Sequence, residues 1–306
     1  MAAGLASPAL AQSDPVRLVV AFPPGAANDA IARLLADAAG RSGIGAAVVE
    51  NRAGAAGNIA AAFVARARPD GRTLLTTLDA TFTVNPHVYP SLGFEPAALE
   101  PVAQLGHFPL ALLAHPSAGI TDLAGFVAAT RARSLLYATA GAGSPGHLAM
   151  EALRLRLGLA PDRLEQVPMR GNAQAVAELV AGRVPVGILA IGGGPQFIRE
   201  GLVRAIATSG TVRDPALPDV PTLAEAGLPG FDVRFAFGLW TPRGTPEAAK
   251  APWLALAREV FAAQAARITA LGVAPEAGDA AALSGWIATQ SPRWAEVARE
   301  ARMRVE

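Results

Sequence analysis

Two loops of small residues, each between an apolar strand and a helix, constrain the fold of this chain most. The strand at residues 17–22 leads into a loop at residues 23–29, and the strand at residues 135–139 leads into a loop at residues 140–147. Small residues let a ligand approach the backbone, and the following helix directs unpaired N–H groups and its positive dipole end at that ligand. This arrangement suits an anion. Two such loops, far apart in the chain, predict a ligand held from two sides.

Apolar strands and amphipathic helices alternate along the chain, which predicts an α/β fold with a mostly parallel sheet flanked by helices. The predicted strands are residues 17–22, 46–50, 73–78, 108–114, 135–139, 163–168, 184–190, 203–208 and 231–240. The predicted helices are one that follows the first loop and ends at Gly40, then residues 59–66, 121–131, 147–157, 173–181, 246–271 and 280–301. At the start of the first helix, Asn28 or Asp29 is expected to be the N-cap.

Composition narrows the classes of function. The chain has 306 residues, enough for two domains, and a formal net charge of +1 without a cluster of Lys or Arg, so nucleic acid is an improbable partner. It contains no cysteine, which excludes disulfides and thiolate catalysis. Its four histidines share no metal-ligand spacing, so no metal site is predicted.

The first residues have the character of a targeting segment. Residues 1–11 are small and apolar and end in Ala9-Leu10-Ala11, an A-x-A type cleavage pattern. A basic n-region is missing, so we interpret residues 1–14 as the remaining part of a signal peptide that starts upstream. The protein is then expected to be periplasmic. A disordered alanine-rich leader is the alternative.

The second loop is open to three functional interpretations besides a purely structural turn. Gly141, Gly143 and Gly146 follow a strand with dinucleotide-binding spacing, which would make the protein an NAD-dependent oxidoreductase. Ser144 lies in a sequence close to that of a nucleophile elbow, although no histidine has a recognisable partner context. A carboxylate bound by the loop is the interpretation we favour, and His147 is then either a contact or a capping residue.

Several short motifs in a fixed order resemble those of the Bug family, the extracytoplasmic solute-binding components of tripartite tricarboxylate transporters. The resemblance extends over nearly all of residues 15–306. The motifs are Pro23-Pro24-Gly25 with Asp29, residues 49–58 (VENRAGAAGN), Pro69-Asp70-Gly71, residues 85–89 (NPHVY), Gly141-Ala142-Gly143-Ser144 with His147, Val167-Pro168 with Gly171, residues 219–222 (DVPT), residues 225–230 (EAGLPG) and Gly244-Thr245-Pro246.

The resemblance implies a two-lobed periplasmic-binding-protein fold of the flytrap type, in which each lobe is a mostly parallel sheet flanked by helices. Residues 15–107 and 222–306 would form lobe 1, and residues 108–221 would form lobe 2. Such a protein captures a small carboxylate by hinge closure and delivers it to membrane permease subunits. It has no cofactor or catalytic residues, and we expect a monomer.

Carried over by position, the resemblance implies ligand contacts from both lobes. Lobe 1 would contribute its first loop together with Thr81, and Asp29 would stabilise the start of the helix. The full set of predicted ligand-binding residues is Phe22, Pro24, Gly25, Ala26, Ala27, Asn28, Asp79, Thr81, Ala142, Gly143, Ser144, Pro145, His147, Ile191 and Gly192.

The chain departs from the family pattern where ligand identity is decided. Asp79 stands where a small or hydroxylated residue is usual, and the stretch 184–190 lacks two usual aspartates. A carboxylate at residue 79 would disfavour a highly charged anion nearby. The sequence therefore favours monocarboxylates or small dicarboxylates with apolar bodies over citrate.

Overall fold

Residues 14–192 and 194–305 are described by a computed structural model of the protein. The predicted leader lies almost wholly outside these residues. Within these described residues the fold has ten strands and eleven α-helices. The strands are β1 Val16–Val20, β2 Ala47–Asn51, β3 Thr73–Leu78, β4 Leu99–Ala114, β5 Leu135–Thr139, β6 Leu164–Pro168, β7 Val186–Ala190, β8 Arg204–Thr208, β9 Arg234–Pro242 and β10 Ala277–Asp279. The helices are α1 Ala27–Ala39, α2 Asn58–Ala65, α3 Ala80–Thr83, α4 Asn85–Val88, α5 Leu123–Ala132, α6 Pro145–Arg156, α7 Asn172–Val180, α8 Pro195–Arg199, α9 Glu247–Ala263, α10 Ala265–Ala270 and α11 Ala280–Glu300.

Strand β4 belongs to two sheets. Its first part, from Leu99 to Pro109, pairs with β9, which pairs with β3 and so joins the parallel set β3-β1-β2. Its last part, from Leu110 to Ala114, pairs antiparallel with β7 and β8, and β7 joins the parallel set β7-β5-β6. We call the side built on β1, β3 and β9 the first lobe and the side built on β5 and β7 the second lobe. The predicted mixed α/β fold with two lobes is confirmed.

The chain returns from the second lobe to the first just before β9. Thr222 bridges Thr208 at the end of β8, and the N–H of Val233 donates to the carbonyl of Ser209. Pairing with β4 in the first lobe begins at Arg234. This pairing favours a return crossing near residues 233–234, later than the predicted 222. The predicted lobe boundaries themselves stay a prediction.

Helix α11 links the two lobes along one side. It contacts α3 and β4 of the first lobe and α6 of the second. Its Trp294 is fully buried and stacks on Phe235 of β9, with ring centroids 5.3 Å apart. Trp240 of β9 is likewise buried and stacks on Phe82, with ring centroids 4.8 Å apart. No helix in the described part of the chain is long and apolar enough to span a bilayer.

Candidate functional site

The first loop leaves backbone donors free at the start of α1. The N-cap residue is Ala26, with extended backbone and no side-chain cap, so the predicted capping by Asn28 or Asp29 is wrong. Both of those residues lie in the first turn of α1 instead. Among the described residues, the N–H groups of Ala27 and Asn28 have no hydrogen-bond partner. They are available to an anion in front of the helix.

Asp29, in the first turn of α1, stabilises this loop. Its carboxylate accepts from the N–H of Gly25 at 3.0 Å, from Asn51 Nδ2 at 2.8 Å and from Arg33 Nε at 2.9 Å. Burial opposes its ionisation, but the hydrogen bonds from Arg33, Gly25 and Asn51 outweigh this and lower the pKa of Asp29. Gly25 has φ +86°, a conformation that favours glycine. The loop is therefore fixed without using the free amides.

The other predicted first-loop residues have different surroundings. Pro24 and Gly25 are exposed, whereas Phe22 is half-buried and packs on the core. The Asn28 side chain is buried and its Nδ2 donates to the carbonyl of Thr76 at 3.0 Å. Its Oδ1 atom has no partner among the described residues.

Asp79 and Thr81 follow β3, next to β1 in the sheet, but neither side chain is exposed. The Asp79 carboxylate accepts from Trp286 Nε1 at 2.7 Å and from the N–H of Ala236 at 3.0 Å. Burial raises the pKa of Asp79 to about 7, although these two hydrogen bonds act in the opposite direction. The Thr81 hydroxyl is bonded to Thr77 Oγ1 and the carbonyl of Ala56. These contacts make both residues supports of the lobe rather than open donors or acceptors.

The second loop caps α6. Ser144 is the N-cap, and its Oγ accepts from the N–H of His147 at 3.4 Å. His147 Nδ1 in turn accepts from the N–H of Gly143 at 3.0 Å, so two predicted site residues are bonded to each other. The N–H groups of Ala142 and Gly146 have no partner in the described part of the chain. The N–H of Gly143 is thus occupied, and the free backbone donors of this loop include those of Ala142 and Gly146.

The bonding of His147 fixes its charge state. Because Nδ1 accepts a hydrogen bond, Nε2 carries the proton. Burial lowers the pKa of His147 to about 4. The imidazole is therefore neutral near pH 7 and can offer an N–H donor but no positive charge.

Ile191 and Gly192 follow β7, which pairs with β5, so they lie at the same sheet edge as the second loop. Ile191 is buried. A Cβ on Gly192 would lie 2.3 Å from the carbonyl oxygen of Leu271 and could not be accommodated. Since Leu271 directly follows α10 on the first-lobe side, Gly192 permits a close contact between the lobes.

Two arginines beside the first loop are already occupied. The Arg52 guanidinium lies 3.7 Å from the centre of the Phe63 ring and pairs with Glu50. Arg33 pairs with Asp29. The first loop therefore offers neutral donors, and these two guanidinium groups are bound to acidic side chains.

A polar cluster beside the first loop was missed from the sequence. Asn85 Nδ2 donates to Asn58 Oδ1 at 2.7 Å and to the carbonyl of Ala56 at 3.1 Å. Ala55 and Ala56 have φ of +46° and +48°, values rare for alanine. Asn58 and Asn85 belong to the motifs at residues 49–58 and 85–89, but they are 27 positions apart and the sequence alone does not pair them.

The structure places a surface cavity of about 590 Å³ beside α4 and the end of α11. It is lined by His87, Ala295, Ala298, Arg299, Arg302, Met303 and Arg304. No group of three or more His, Asp or Glu residues in the described part of the chain is arranged to hold a metal ion.

Comparison with known proteins gives consistent matches along the chain. A sequence profile described as tripartite tricarboxylate transporter family receptor matches residues 31–303. Rpa4515 of R. palustris, solved with adipate, is 29% identical with a TM-score of 0.86, covering 95% of this chain and 98% of its own. The periplasmic binding protein BugD is 30% identical with a TM-score of 0.82, covering 95% and 99%. MatC of Rhodopseudomonas palustris, with bound malate, is 32% identical with a TM-score of 0.81, covering 92% and 98%.

Proposed function

Because the chain belongs to the family of tripartite tricarboxylate transporter receptors, we propose that it captures a small carboxylate by closure of its two lobes and delivers it to a membrane permease. It is a solute-binding protein, like the relatives of this family. We further propose that the protein acts in the periplasm, as a monomer, and without catalytic activity. The Ala9-Leu10-Ala11 pattern and the likeness to the periplasmic binding protein BugD support the periplasmic location.

The observation that carries the proposal is the set of free backbone donors on both sides. Ala27 and Asn28 offer N–H groups at the start of α1 in the first lobe, and Ala142 and Gly146 offer them at the start of α6 in the second. A hydrogen bond from a neutral donor to an anion contributes about 1.5–3 kcal/mol. Donors from opposing lobes all reach one acid only after closure, which favours the closed state when the acid is bound.

We retain the two loops and residues 191–192 as proposed contacts and leave out Asp79 and Thr81. The hydrogen-bonding groups of both side chains are satisfied inside the first lobe. Their part in binding is to support the lobe.

The oxidoreductase alternative finds no support. The family match and the solved relatives describe solute-binding proteins, two of them with a bound carboxylate. A ribose-binding acidic residue would follow the glycines by about 20 positions, which in this chain is Glu165. Glu165 pairs with Leu136 near the start of β5 and not at the end of the strand that carries the loop.

We further propose that the acid is a monocarboxylate or a small dicarboxylate with an apolar body. The site residues include no arginine or lysine, and His147 is neutral near pH 7. Neutral donors suit one or two carboxylates better than three, because each added charge needs further compensation when water is excluded. Adipate, which Rpa4515 binds, fits this description and serves as the probe.

A thermal-shift series tests the function and the ligand class together. We expect adipate and monocarboxylates to raise the melting temperature more than citrate does, because ligands that bind the folded state stabilise it. Ser144→Asp should abolish the adipate shift by placing a negative charge at the second loop, whereas Ser144→Asn should keep it. Both replacements are good N-caps, so neither should unfold α6. A larger shift with citrate would contradict the ligand class, and an undiminished shift in Ser144→Asp would remove the second loop from the site.

A further inference from the structure

The segment Met303–Val305, which we call the strap, crosses from the first lobe to the second loop. It follows α11 through Arg302, whose φ is +51°, a conformation that is strained for a residue other than glycine. The N–H of Met303 donates to the carbonyl of Ala298 at 2.9 Å, and the Met303 side chain is buried. A strained reversal persists only where its surroundings hold it, so the position of the strap is specified.

Val305 contacts both lobes, one through its backbone and the other through its side chain. Its N–H donates to the carbonyl of Val88 at 3.0 Å, at the end of α4 in the first lobe. Its side chain lies against the second loop, where a Cβ on Gly143 would be 3.2 Å from Val305 Cγ2. Val305 therefore touches the residue whose N–H holds His147.

Gly143 needs such a support. It has φ +71° and sits in a loop of glycines and alanine, where few side chains restrict the backbone. Its N–H donates to His147 Nδ1, and the adjacent N–H of Ser144 donates to the carbonyl of Gly141 at 3.2 Å. The Val305 side chain adds a contact from outside the loop, anchored in the other lobe.

We propose that the strap holds the Gly141–Ser144 loop in the conformation that receives the acid, with Val305 as a positioning residue. This inference rests on the proposed function. Removing the Val305 contact leaves every predicted ligand contact in place but lets the loop move. Ordering the loop then opposes binding, and affinity falls without loss of the fold.

Val305→Ala tests the strap directly, with adipate as the probe. We expect its Kd for adipate to rise roughly three- to tenfold. Amide hydrogen exchange should quicken at Gly141 and Gly143, whose N–H groups are hydrogen-bonded, while the melting temperature of the free protein stays near that of wild type. Val305→Ile keeps a branched side chain on Gly143 and should restore both values. Val212→Ala, a change at an exposed valine, is the matched control and should alter neither.

Unchanged exchange in Val305→Ala would overturn the strap, and so would faster exchange with unchanged adipate affinity. Failure of the proposed function would look different. Wild-type protein would then bind no organic acid, while the exchange measurement would still report whether Val305 restrains the loop.

Discussion

At the scale of the residue, Asp79 shows how a side chain predicted for the ligand serves the fold instead. Its carboxylate ties the end of β3 to β9 through Ala236 and to α11 through Trp286. Trp286 lies 207 positions away in the chain, and no local pattern connects it with Asp79. The sequence could therefore place a carboxylate near the cleft but could not reveal that it is enclosed.

The raised pKa of Asp79 makes a signed prediction for stability. The usual pKa of an aspartate is near 4, and that of Asp79 in the folded protein is about 7. Between these two pH values the folded protein holds a proton on Asp79 that the unfolded chain has released. The contribution of Asp79 to the free energy of unfolding therefore decreases as pH rises through this range. Measured by denaturant unfolding, the difference in unfolding free energy between wild type and Asp79→Asn should decline by an amount on the order of a few kcal/mol from pH 4.5 to 7.5.

The comparison with Asp79→Asn isolates this group, because His147 titrates in both proteins. The lowered pKa of His147 has the opposite effect, a loss of stability as pH falls from about 6.5 toward 4. A free-energy difference that grew with pH, or stayed flat, would show that Asp79 is not buried as described.

At the scale of the element, the helix start is the unit of binding. The predicted strands at residues 73–78 and 135–139 match β3 and β5 residue for residue, because each is a short apolar run with clear breaks. Strand β4 was predicted only from residue 108. It begins at Leu99, and its burial changes pattern where it passes from one sheet to the other. Helices α3 and α4 are four residues each, too short for a periodic signal.

Replacing Ala27 by proline removes one proposed donor while keeping α1. Proline is well tolerated at the first position of a helix, where the N–H has no partner within the helix, and Ala26 before it is already extended. We expect the affinity for adipate to fall by about tenfold or more, the loss of one hydrogen bond to an anion. Calorimetric titration measures this.

Ala280→Pro is the matched control, since Ala280 is the first residue of α11 and also follows an extended N-cap. It should bind adipate as wild type does. Equal affinities for the two variants would show that the α1 amide does not contact the acid.

At the scale of the whole molecule, β4 joins the two lobes. It runs unbroken from one sheet into the other, and the chain crosses back once more beside it before β9. Gly192 and Leu271 meet across the lobes, and the strap joins α4 to the second loop. The order of family motifs predicted this two-lobed plan. Contacts between the lobes join residues far apart in sequence and could not be predicted.

A structure of the protein crystallised with adipate tests the central claim most directly. The account predicts one carboxylate between the lobes, within hydrogen-bond distance of the backbone N–H groups that start α1 on one side and α6 on the other. Adipate bound through side chains at another place, such as the arginine-lined cavity beside His87, with both helix starts facing only water, would contradict it.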